Sequence, residues 1–96
     1  MTLNQLLGSK RQDILRLAAQ HGATNVRVFG SLARGEGRPD SDVDMLITLA
    51  PERSLLDLIA LKQDLEDLLG CNVDVVTEAS VSPYIRPQVL QDAVAL

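Results

Sequence analysis

The stretch Asp42 to Leu49 alternates its side chains with a period of two, which is the pattern of a strand that turns one face to a core. Val43, Met45, Ile47 and Leu49 fall on one face, and Asp42, Asp44, Leu46 and Thr48 on the other. Asp42 and Asp44 therefore leave the same face, roughly 6.6 Å apart along the strand. Two carboxylates so placed can share a pair of divalent cations about 3.5–4 Å apart, the arrangement that in-line phosphoryl chemistry uses. About a dozen residues upstream, Gly30 and Ser31 stand where a strand gives way to a short helical segment. Backbone N–H groups without partners face outward at such a point and suit an anion.

The rest of the chain supplies elements to pack around this strand. Thr2 to Gln20 carries Leu3, Leu6, Leu7, Ile14, Leu17 and Ala18 mostly on one side of a 3.6-residue period, which predicts a single amphipathic helix ended by His21 and Gly22. Asn25 to Phe29 reads as a first strand running into Gly30. Only twelve residues, Gly30 to Ser41, join it to the acidic strand. They already hold a helical turn and the loop at Pro39, so antiparallel pairing is expected rather than a parallel crossover. Ser54 is placed to N-cap a helix that Gly70 stops, with Asp57, Asp64, Glu66 and Asp67 as its solvated face. Asn72 to Thr77 reads as a third strand, and a helix between two strands favours a parallel unit. Gln88 to Leu96 is a last apolar segment, with Tyr84 as its anchor. The expectation is one α+β domain over residues 1–96: a small mixed three-stranded sheet with helices packed on it.

Asp74 is the third acid. A lone Asp in an apolar strand is costly to bury uncompensated, so it faces a cation, is paired, or lies exposed at the strand end. If its strand lies beside that of Asp42 and Asp44, three carboxylates converge, and without a metal their repulsion raises at least one pKa. Ser31 offers a hydroxyl and an N–H to a phosphate oxygen, and equally an N-cap to the short helix. Arg34 reaches either triphosphate oxygens or the nearby acids Glu36 and Asp40.

Two similar motifs fail on the residue that matters. Gly30 to Gly35 has the spacing of a Walker A loop, but Glu36 follows where the lysine belongs. Asp40, Asp42 and Asp44 open like an EF-hand, but Met45 replaces the glycine and Pro51 the bidentate glutamate. The net charge of −4 argues against binding nucleic acid, whose affinity comes mainly from Lys and Arg on phosphates. No apolar run is long enough to span a membrane and no leader is visible, so a cytoplasmic protein is expected. The single Cys71 excludes an internal disulfide. Aromatic residues make up only 2% of the chain, so the core must be aliphatic, and surplus apolar surface would go to a partner or a homo-oligomer.

Gly30-Ser31, then Ala33-Arg34-Gly35, then Ser41-Asp42-Val43-Asp44 on an apolar strand resembles the core motif of the DNA polymerase β nucleotidyltransferase superfamily. In its size it is most similar to the minimal nucleotidyltransferases that act as antitoxins beside HEPN-domain toxins. The resemblance implies a polymerase β-type fold and Mg²⁺-dependent transfer of AMP from ATP to a hydroxyl, with two Mg²⁺ ions. It implies that Asp42 and Asp44 hold both metals, and that Asp74 holds the catalytic one and takes the proton from the attacking hydroxyl. It further implies phosphate contacts from Gly30, Ser31 and Arg34, and a HEPN toxin whose tyrosine is the acceptor. An antitoxin that works by contact alone, or an enzyme acting on a small hydroxylated molecule, are the alternatives.

Overall fold

In a computed structural model, residues 3–30 and 42–96 are described. The acidic strand lies inside a four-stranded sheet, ordered β3-β2-β1-β4. Its strands are β1 (Ala23–Phe29), β2 (Val43–Leu49), β3 (Val73–Thr77) and β4 (Val94–Ala95). Helices α1 (Leu3–Ser9) and α2 (Arg11–Gln20) precede it, α3 (Leu55–Leu69) joins β2 to β3, and α4 (Arg86–Asp92) precedes β4. A 3₁₀ turn, Glu78–Ser80, follows β3.

Pairing of β1 with β2 is antiparallel, as the short connection predicts, and β2 with β3 is parallel. Within β1 the register slips by one residue between Thr24 and Arg27, where Asn25 takes φ +54°. Asparagine tolerates this left-handed conformation better than most residues, and the extra residue is a β-bulge. Its consequence is that Ala23 and Val26, three apart, are both buried, with Val28 after them.

One sheet face carries Val26, Val28, Val43, Met45, Ile47, Val73 and Val75 and is covered by Ile14 and Ala18 of α2 and Leu61, Leu65 and Leu69 of α3. The capping of α3 matches its sequence. Ser54 Oγ accepts from Leu56 N–H at 3.2 Å, the Ser54 N–H donates to Asp57 Oδ2 at 3.0 Å, and Gly70 closes the helix in the left-handed region with φ +70°.

Four expectations need correction. The N-terminal helix is two helices that break at Lys10, although the apolar period runs on through the break. The sheet has a fourth strand, because Val94 and Ala95 pair with Val28 and Arg27 along the outer edge of β1. Tyr84 anchors nothing: it is 96% exposed. The acids of α3 are not simply solvated, since Asp57 caps the helix, Asp64 meets His21 Nε2 at 2.7 Å and Glu66 binds Lys62 and a backbone N–H. Among the described residues no helix is long and apolar enough to cross a membrane.

Candidate functional site

The second sheet face, opposite α2 and α3, carries the acids. Parallel register sets Asp44 directly beside Asp74, and antiparallel register sets Phe29 beside Asp44 on its other flank. Asp44 is thus flanked within one row by an aromatic ring and by a second carboxylate. Asp42 stands just ahead of β2 and is exposed. The face is not wholly polar. One row further along, Leu46 is fully buried with Val81 and Val89, and Phe29 and Val76 pack against them. That small apolar cluster closes the floor beside the acids.

The electrostatics follow from this row. Burial pushes the Asp44 carboxyl above the ordinary 3.8, and the charges of Asp74 and then Asp42, with a hydrogen bond between the Asp44 and Asp74 side chains, push it the same way. Asp74 is exposed near the start of the edge strand, where it lies beside Asp44 in register.

Gly30 adjoins the same carboxylate. Its φ is +78°, and a Cβ built on it would come within 2.5 Å of Asp44 Oδ2. The bend after β1 therefore lies against Asp44, and only a residue without a side chain permits the approach. Ser31 and Arg34 lie outside the described residues.

The donor set suits a hard divalent cation, since such ions take carboxylate oxygens and the excess negative charge at Asp44 and Asp74 calls for one. Among the described residues no group of three acidic, histidine or cysteine side chains is already drawn into a metal cage. Asp44 and Asp74 lie side by side in register, and Asp42 acts on Asp44 through its charge.

Sequence reasoning missed the support behind Asp74. Glu66 Oε2, on α3, accepts the Val73 N–H at 3.1 Å and Lys62 Nζ at 2.9 Å. The hydrogen bond to Glu66 holds the Lys62 ammonium above its usual pKa, and Asp74 and Asp42 add to this through their charges. Cys71 packs against the core as a small hydrophobe, its thiol pushed up first by burial and then by Asp42 and Glu66. The spacing of Lys62 and Glu66 is readable as a helical ion pair, but a carboxylate bonded to a backbone N–H seven residues on has no sequence pattern.

Comparison with known proteins finds relatives over nearly the whole chain. The protein adenylyltransferase MntA of Thermococcus cleftensis is 42% identical over 94 residues, which cover 98% of this chain and 95% of that protein. A solved structure described as a candidate minimal nucleotidyltransferase superposes with a TM-score of 0.88 at 50% identity, covering 100% of this chain and 97% of the other. A chain solved in a toxin-antitoxin with AMP-PNP gives a TM-score of 0.75 over 88% of this chain and 69% of its own, at 24% identity, which speaks to the fold alone. The model of the nucleotidyltransferase domain matches residues 11–96. A match over residues 11–96, most of the chain, makes it a member of the nucleotidyltransferase domain family.

Proposed function

We propose that this protein is an antitoxin that transfers AMP from ATP to a hydroxyl of a partner protein, a tyrosine of a HEPN-family toxin, and so silences it. The carrying observation is the Asp44–Asp74 contact beside the Gly30 bend. Support also comes from the 42% identical relative, which bears the name protein adenylyltransferase. The toxin partner is drawn from the motif resemblance, and a chain of the same fold occurs in a toxin-antitoxin structure.

In this reading Asp42, Asp44 and Asp74 hold two Mg²⁺ ions, which when bound neutralise triphosphate charge and polarise the α-phosphate. Asp74 receives the proton of the attacking hydroxyl. The hydroxyl oxygen bonds to the α-phosphorus, the bond from that phosphorus to the bridging oxygen of the β-phosphate breaks, and pyrophosphate leaves. Gly30 and Ser31 offer backbone N–H groups to the phosphates, and Arg34 offers its guanidinium. Little covalent chemistry falls to the protein, so catalysis is positioning and charge neutralisation.

The test is to incubate the purified protein with the product of the neighbouring reading frame, Mg²⁺ and ATP, and to weigh both intact. One or more adenylyl additions to the partner, lost in Asp42→Ala and Asp44→Ala, are expected. No addition from any of the four nucleotides would overturn the assignment.

A further inference from the structure

We infer that Glu66 is a positioning residue for the acid site, acting through the backbone of β3 to hold Asp74 in register with Asp44; this deepens the function proposed above and rests on it. Among the described residues β3 is an edge strand, with a hydrogen-bonding neighbour on one side only. Its first residue, Val73, sits opposite Val43, and the Val43 N–H donates to Asn72 O at 3.0 Å. Alternation along the strand then turns the Val73 N–H outward, away from β2. The next residue is Asp74, whose carboxylate lies in register beside that of Asp44 on β2 and repels it.

That repulsion acts to push the start of β3 away from β2. Glu66 opposes it from outside the sheet, because its Oε2 accepts the outward Val73 N–H at 3.1 Å. The carboxylate is itself fixed by Lys62 Nζ at 2.9 Å, and its own carbonyl accepts the Gly70 N–H at 2.8 Å in the turn that leads to β3. One helical residue thus ties both ends of the Gly70–Val73 connection. The far end of β3 is tied in a similar way, by Ser80 Oγ accepting the Thr77 N–H at 3.2 Å. Partners that orient a ligating group without touching the metal commonly change affinity or activity by about 10–100-fold when removed.

The experiment compares Glu66→Met, which keeps length and helix propensity but has no oxygen to accept an amide, with Glu66→Gln, which keeps the acceptor and loses the charge. Glu66→Ala serves as a check should the methionine disturb folding. Mn²⁺ is the probe, its affinity measured by electron paramagnetic resonance, beside amide exchange at Val73 and kcat against KM for ATP. Expected for Glu66→Met are faster Val73 exchange, Mn²⁺ affinity and kcat each lower by about tenfold, and a smaller change in KM; Glu66→Gln stays within about threefold of the parent. Unchanged Mn²⁺ affinity in Glu66→Met and Glu66→Ala would overturn the inference, as would a Glu66→Gln variant no better than they are. A parent that binds no Mn²⁺ would overturn it too. A parent that binds Mn²⁺ but transfers nothing would remove the transferase function, and the Mn²⁺ and exchange series would still decide the role of Glu66.

Discussion

Asp44 and Asp74 stand side by side in parallel register, and the charge of Asp74 adds to burial in holding the Asp44 carboxyl above its ordinary range. Such a pair is a poor choice for stability, since two carboxyls in one place repel unless a proton or a cation comes between them. Asp44→Asn removes the repulsion and keeps the shape. It is expected to lower nucleotidyl transfer by about 10²–10³-fold, while the protein without divalent ions melts about 2–5 °C higher. A variant that loses activity and also melts lower would show that Asp44 contributes structure instead.

The same pair sets the direction of a pH effect. Asp44 is held above the ordinary carboxylate value by burial and by Asp74 and Asp42. A raised folded-state pKa gives stability that is present below the unfolded value near 3.8 and lost as pH rises through the folded value. Asp57 and Glu66 are lowered, the first by the Ser54 N–H and the second by Lys62, so their contributions run the opposite way and are lost as pH falls. Both are present in parent and variant, and the difference isolates Asp44. The melting advantage of Asp44→Asn is therefore expected to be small at pH 4 and to grow toward pH 7, and Mg²⁺ should close it. An advantage that stays constant across that range would contradict the assignment.

What the sequence could disclose tracks how local each cause is. Helix α3 was legible at both ends because Ser54 and Gly70 act within a turn of themselves, while the cap from Asp57 was not read. The Asp44–Asp74 meeting was legible because a helix between two strands constrains their direction, and the period of two does the rest. Strand β4 was not, since Val94 and Ala95 become a strand only by pairing with Val28 and Arg27, about seventy residues away along the chain. The break at Lys10 leaves the apolar period intact, so periodicity could not see it. Nor could composition show that Leu46, on the acid face, belongs to a second cluster built from the C-terminal segment.

Two glycines separate backbone strain from the site. Gly30 and Gly70 both lie in the left-handed region, at φ +78° and +70°. Alanine at either is expected to cost about 1–2 kcal/mol for that conformation. A Cβ at Gly70 meets open space, whereas at Gly30 it lies 2.5 Å from Asp44 Oδ2 and must displace the carboxylate. Chemical denaturation should find the two variants similarly destabilised. Transfer should fall by about tenfold or more in Gly30→Ala alone. Equal activity in the two would mean that the bend does not serve the site.

Leu46 tests whether the C-terminal segment belongs to the fold or waits for a partner to cover it. It is fully buried on the acid face, and its cover is Val81 and Val89 of the segment after β3. Truncating a buried leucine costs the lost transfer energy and the cavity left behind, together about 2–5 kcal/mol. Leu46→Ala should therefore lower the unfolding free energy by that amount in the protein alone, measured by urea titration. If α4 docked only when a partner bound, Leu46 would be half-solvated in the free chain, and the same substitution would cost well under 2 kcal/mol. The position of Val89, buried against Leu46 while Leu90 and Val94 nearby in sequence stay exposed, favours the larger value.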